Sequence, residues 1–333
     1  MLFSGSLSKH YYAIVANSGS DNVTPLDLAN PLQPVAHTSI AVQHTPITVT
    51  VSPDGRFALV TNLGSQSVTP LDLANPLVPV AQSPILVGTQ PQGVAISPNG
   101  LFALVANWVS CSVTPLDLSN PLVPVAHPAI ASGGTSPAGI SISPDGSFGL
   151  VANFDSGTIV PLDLTNPLTP VAKPPIAVRA GPTMAVISPN GLWAIVPNYN
   201  DDSVSPLDLA NPLVPVAKPR FYTGGGSKPE GIAIASNGLV TLGVVTLPGT
   251  GAASVLDLSN PFVPVMYAGP TGLSNPHGIA LSPDGRFGFI ENYATNTILT
   301  FSLTNPSSGF TVAASVTVGT EPFSRNATMI YSR

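Results

Sequence analysis

Val68-Thr69-Pro70-Leu71-Asp72-Leu73-Ala74-Asn75-Pro76-Leu77-Val78-Pro79-Val80 decides the fold, because close copies of this stretch recur along the whole chain. Its Leu-Asp-Leu-x-Asn-Pro core stands at Asp27/Asn30, Asp72/Asn75, Asp117/Asn120, Asp163/Asn166, Asp208/Asn211 and Asp257/Asn260. A worn seventh copy runs from Phe301 to Pro306. Successive copies are 45, 45, 46, 45, 49 and 45 residues apart. Self-similarity at that period marks a repeat architecture in which each unit covers its apolar face with its neighbours.

Between the copies lies a second marker, Ser52-Pro53-Asp54-Gly55, with counterparts starting at Ser97, Ser143, Ser188 and Ser282 and a degenerate form at Asn237-Gly238. Asp-Gly or Asn-Gly between apolar runs signals a tight hairpin, since such turns need positive φ. Each unit therefore reads as four short strands: one before the hairpin, one after it, a third carrying Leu-Asp-Leu and a weak fourth after Asn-Pro. No ten-residue stretch combines helical periodicity with good helix formers. The first unit lacks the strand that should precede Tyr11 to Asn17, and residues 324–331 form a matching orphan strand at the other end. Joining them closes a ring and removes open sheet edges. The sequence thus predicts an all-β, seven-bladed propeller of four-stranded antiparallel blades, one domain over residues 1–333. Pro25, Pro70, Pro115, Pro161 and Pro206 stand inside the third strands. Proline cannot donate to a ladder, so the fourth strand is expected to pair with only part of the third.

Composition narrows the function classes. Charged residues are only 8% of the chain, as suits sheets covered on both faces. The net charge is −6 and the ten Lys and Arg are scattered, so no basic patch exists to neutralise a phosphate backbone and nucleic acid is not an expected partner. One cysteine, Cys111, excludes an internal disulfide and a multi-cysteine metal site. The five histidines lack metal-ligand spacing, so neither metal nor cofactor is expected. No apolar run is long enough to span a membrane, and no signal peptide is visible. Localisation stays open, since an extracytoplasmic place after removal of a leader fits equally. A closed ring is expected to be a monomer.

The motif set, Ser-Pro-Asp-Gly followed by Phe-x-x-Val-x-Asn (Phe57 to Asn62, Phe102 to Asn107, Phe148 to Asn153) and then Leu-Asp-Leu, resembles the YVTN-type β-propeller repeats. The resemblance covers nearly the whole chain; the prolines before Leu-Asp-Leu depart from it. Propellers of this type serve as surface-layer modules, nucleic-acid or ligand binders, electron-transfer partners and lactone-hydrolysing enzymes. The resemblance therefore implies the fold and leaves function to particular residues.

Residues present in every blade read as architecture, the six Leu-Asp-Leu aspartates above all, as acceptors of backbone N–H at the turn. Function is sought where the repeat breaks, on the face formed by the loops entering the first strand and leaving the second (hereafter the first face). Directly after the proline that opens each first strand stand Ile47, Gln92, Ala138, Thr183, Glu230, His277 and Phe323. Glu230 and His277 are neighbours there, with Glu291, Arg179, Lys228 and Arg325 expected nearby. The 49-residue step adds two residues within 223–228 and two within 246–251, both placed on this face by the motif alignment. Trp108, Phe154, Tyr199 and Tyr293 follow the second strands as possible ligand anchors. Two functions follow. The first is a non-catalytic module binding a protein, glycan or small molecule. The second is a metal-independent hydrolase or isomerase of a small lactone-like or anionic substrate, with His277 and Glu230 as acid/base pair and Arg325 holding an anion.

Overall fold

The computed structural model describes residues 10–236, 241–305, 309–323 and 331–332. Seven small antiparallel sheets form a ring, a seven-bladed β-propeller with only three single-turn 3₁₀ segments among the described residues. In the second blade the strands are Pro46–Val51, Phe57–Asn62, Ser67–Asp72 and an outer strand in two pieces, Val80–Ala81 and Ile85–Leu86. The other blades repeat this order outward from the channel.

Proline explains the broken outer strand. In blades 1 to 5 the outer pieces pair on either side of the third-strand proline and skip it; in blade 2 the partners are Leu71↔Ala81, Asp72↔Val80, Ser67↔Leu86 and Val68↔Ile85. The Pro70 carbonyl accepts Gln82 N–H at 2.9 Å, but proline has no N–H to return. Blades 6 and 7 carry Val255 and Thr300 at this position, and their outer strands run unbroken as Val265–Thr271 and Gly309–Thr317.

The repeated polar residues hold turns. Oδ1 of Asp27, Asp72, Asp117, Asp163, Asp208 and Asp257 accepts the N–H two residues on, at 2.8–3.1 Å in all six blades. The hairpin serines do the same: Ser52, Ser97, Ser143, Ser188 and Ser282 each accept the N–H five residues on, at 3.1–3.2 Å. Among the described residues no group of three or more His, Cys, Asp or Glu is placed to hold a metal. No helix among them is long and apolar enough to cross a membrane.

Apolar burial lies between blades rather than within them. Seven clusters occupy the seven seams; the one joining blades 7 and 1 packs Tyr11, Leu26 and Leu28 against Phe287, Phe289 and Ile298. Closure also uses backbone. Tyr11 and Tyr12 pair with Ser332 and Tyr331, Asn17 bridges Pro322, and Phe323 N–H donates to Ala16 at 3.2 Å. Most of the closing segment, residues 324–330, lies outside the described residues, as does the degenerate turn at Asn237-Gly238.

Candidate functional site

The first face is built by a clamp repeated in each blade. Thr45, Gln90, Ser136, Gly181, Lys228, Asn275 and Glu321 precede the strand-opening prolines with φ between 52° and 72°. This left-handed turn aims their carbonyls at the loop that leaves the second strand. Leu63, Trp108, Phe154, Tyr199, Tyr293 and Ser18 N–H groups donate to six of them at 2.8–3.2 Å. The seventh loop begins with Pro248, which has no N–H, and Gly249 donates to Ser227 at 3.1 Å instead.

Inside that clamp sits the ring of strand-opening residues. The sequence expectation is that these residues ring the mouth of the central channel, and Ile47, Gln92, Ala138, Thr183, Glu230 and His277 are all buried. Threonine hydroxyls pin it to the next blade, Thr61 donating to the Gln92 carbonyl at 2.6 Å, Thr183 to Glu230 at 2.7 Å and Thr246 to His277 at 2.7 Å.

Glu230 and His277 occupy equivalent positions on adjacent inner strands, and His277 Nδ1 meets Glu230 Oε2 at 2.7 Å. The side chains are 11% and 4% exposed for His277 and Glu230, so the bond lies out of bulk water. A carboxylate accepts only, so Nδ1 carries a proton and donates it to Glu230, and Nε2 is the ring nitrogen outside that bond. Glu291, fully buried on the second strand of blade 7, packs against Gly278, the residue after His277. A Cβ at Gly278 would overlap the Glu291 carboxylate, so any larger residue there requires the Glu291 side chain to move. Two rings wall the imidazole, Phe323 at 4.7 Å and Tyr293 edge-on at 5.2 Å. Burial, then a hydrogen bond to the Glu321 carboxylate, pushes the Tyr293 hydroxyl above its ordinary pKa.

The remaining sequence candidates separate. Trp108, Phe154 and Tyr199 form a second group across blades 3 to 5, with ring centroids 5.4 and 6.2 Å apart and the Lys228 ammonium 5.5 Å from the Tyr199 ring. Arg179 is exposed in the loop after the blade-4 outer strand. Arg325 lies outside the described residues.

One placement is corrected by strand register. Leu247↔Ala252 flanks a four-residue loop in blade 6, as Asn292↔Thr297 does in blade 7, so residues 246–251 hold no insertion. The extra pair falls on the hairpin side, between Ile234 and Gly243 and toward the opposite face, because Ile232↔Val245 spans two residues more than Ile279↔Ile290, and the ladder continues through Ala235↔Leu242 and Ser236↔Thr241. The motif alignment had treated Gly238 as the hairpin glycine of the other blades.

Sequence reasoning also missed a cavity of about 640 Å³ in the central channel, toward the Ser-Pro-x-Gly face. Val51, Ile96, Ile142, Ile187 and Leu281, each just before a hairpin serine, line it with Ile234. Aliphatic residues at that one offset in successive repeats were the available signal.

No family model matches the chain, and no curated protein matches it. Solved structures do. The chain is similar to a candidate 6-phosphogluconolactonase from Bacteroides uniformis at 16% identity, over 95% of this chain and 98% of that one, with a TM-score of 0.83. It is similar to a periplasmic gluconolactonase from Pseudomonas aeruginosa at 14% identity, over 97% and 99%, with a TM-score of 0.79. It is also similar to Kuenenia stuttgartiensis hydrazine synthase at 21% identity, over 84% and 88%, with a TM-score of 0.69. At such identities the likeness is one of fold, the seven-bladed propeller, shared by proteins whose names denote unlike chemistry.

Proposed function

We propose that the first face carries out acid–base hydrolysis of a small lactone-like substrate, with His277 as general base and Glu230 holding it. The observation that carries this reading is the 2.7 Å Glu230–His277 bond at positions where the other blades hold neutral residues. Nε2 of His277 takes a proton from water as its oxygen attacks the lactone carbonyl. The Glu230 carboxylate stabilises the imidazolium that forms. Collapse of the tetrahedral intermediate breaks the ring C–O bond, and the imidazolium returns the proton to the leaving oxygen, giving a hydroxy acid. The likeness to two lactonase-named structures agrees with this chemistry at the level of fold only. Arg325 is assigned the role of holding developing negative charge.

The burial of the pair favours a second reading, a propeller that binds a small polar ligand without turning it over. Proton release followed against δ-gluconolactone and γ-butyrolactone separates the two. Hydrolysis above the spontaneous rate, cut at least about 100-fold by Glu230→Gln and by His277→Gln, is expected of the enzyme. Arg325→Ala is expected to weaken ligand binding about tenfold, roughly 1.4 kcal/mol. Binding by calorimetry with no turnover would establish the second reading, and activity unchanged in both dyad variants would refute the first.

A further inference from the structure

The blade repeat is its own control, and it breaks at a second place, remote from the first face. At the seam between blades 2 and 3 the second strand opens with Phe57 opposite Leu122; the next two seams pair Phe102 with Leu168 and Phe148 with Leu213. Between blades 5 and 6 both partners change together, to Trp193 and Phe262. A cleft of about 660 Å³ opens at this seam on the Ser-Pro-x-Gly face, lined by both rings with Ser188, Asn190, Asp208 and Ser259. Ser236 and Thr241, the last pair of the ladder that the register change lengthens, also line the cleft.

The chemistry of the walls restricts the occupant. Trp193 is 7% exposed and offers part of its indole, while Phe262 is half-buried with one face toward the Lys218 ammonium at 5.1 Å. Lys218 Nζ also meets Asp208 Oδ2 at 2.9 Å, so the carboxylate lining the cleft is already paired with a cation, which favours a neutral ligand. Asn190 uses Oδ1 to accept from Ser188 Oγ at 2.7 Å and from Leu192 N–H at 3.1 Å, which leaves its amide N–H₂ as a donor. Asp208 Oδ1 accepts one N–H, from Ala210, and a carboxylate oxygen has a second lone pair. Two aromatic surfaces beside a neutral set of hydroxyl, amide and paired carboxylate groups match the C–H face and hydroxyl edge of a pyranose.

We infer that the seam between blades 5 and 6 is a binding site for a neutral carbohydrate of about two sugar units, seated on Trp193 and Phe262 and independent of the Glu230–His277 pair. The chain has two tryptophans, Trp108 on the first face and Trp193 here. Trp108→Phe therefore leaves Trp193 as the sole indole reporter. In that background, maltose, cellobiose and N,N′-diacetylchitobiose are titrated while Trp193 emission is followed. At least one disaccharide is expected to give a saturable change in the millimolar range or below. Phe262→Leu, which restores the residue of five other blades, is expected to weaken it at least tenfold at an unchanged melting temperature. Asn190→Ala, an exposed position, should weaken it severalfold and serves if Phe262→Leu does not fold. No saturable change with any of the three sugars, or equal affinity in the variants, overturns the proposal. Because Trp193, Phe262 and Asn190 lie on the opposite face and the lactone assay uses the chain with Trp108 intact, failure here leaves that assay on the dyad unaffected.

Discussion

Thr45→Gly is expected to stabilise this protein, against the usual effect of glycine in a β-rich fold. Thr45 sits at φ +54°, directly before Pro46, a conformation that a β-branched residue adopts only under strain. Left-handed backbone costs an L-residue roughly 1–2 kcal/mol. Glycine removes that cost and gives back roughly 0.5–1 kcal/mol through the added freedom of its unfolded chain. The bonds that fix the loop survive, since Thr45 N–H donates to Asp21 Oδ1 at 2.8 Å and its carbonyl accepts Leu63 N–H at 2.9 Å, both through backbone. The net gain is about 0.5–1 kcal/mol. Gly181, the equivalent residue of blade 5, supplies the reciprocal experiment. It has φ +72°, and a Cβ there would lie 2.9 Å from Asn200 Nδ2 and 3.0 Å from Asn200 N. Gly181→Thr is therefore expected to lose about 2–3 kcal/mol. Urea unfolding at constant m-value reads both. A destabilised Thr45→Gly, or a neutral Gly181→Thr, would show that the left-handed clamp is not strained and refute the argument.

Asp72→Ala should cost only about 0.5–1 kcal/mol by the same assay, because Oδ1 accepts a single N–H, from Ala74, at an exposed turn; a loss above 3 kcal/mol would require contacts beyond that turn. Val255→Pro should cut the outer strand of blade 6 in two and cost about 1–3 kcal/mol, read by melting and by faster amide exchange at residues 265–271. Acid should destabilise the protein. The Thr165 and Lys173 side chains hold Asp163, the Ser119 backbone N–H holds Asp117, and the Lys218 ammonium holds Asp208 below the usual carboxylate range. Depressed folded pKa values contribute stability above the unfolded pKa of about 4, and that stability is lost as pH falls through the folded values. A melting temperature unchanged between pH 7 and 3 would contradict this.

The fold was legible because it is periodic. Leu-Asp-Leu and Ser-Pro-x-Gly mark the same turn in blade after blade, and even the outer-strand interruption follows from one missing N–H at Pro70. The neighbourhood of Glu230 and His277 was legible by the same logic, as unrepeated residues at repeated positions. Their depth was not, since burial at that level depends on how closely seven inner strands converge. Gly231 shows the convergence, for a Cβ there would overlap the His277 carbonyl of the next blade. The hairpin insertion was misplaced because Asn237-Gly238 looks like a turn signature, whereas strand register counts residues. Arg179 carried no marker separating a loop charge from a site charge.

The closing pair Tyr11↔Ser332 joins strands 321 residues apart, whereas the neighbouring strands within blades 2 to 7 are drawn from the same short stretch of chain. Bringing such distant ends together costs on the order of 5 kcal/mol in chain entropy by the logarithmic loop law. Six blades can therefore assemble by local zippering, each on the one before it, while the ring waits for its last seam. Folding should show a slow phase that belongs to closure alone. A circular permutant opened before Pro46, with the present ends joined by a short linker, would bring Tyr11 and Ser332 near each other in sequence and make that phase report a different seam while keeping every blade. The price of closure is then moved to the seam between blades 1 and 2, where the third-blade side of the ring is already built and Val49, Val60 and Leu71 wait to receive Ile14 and Val23.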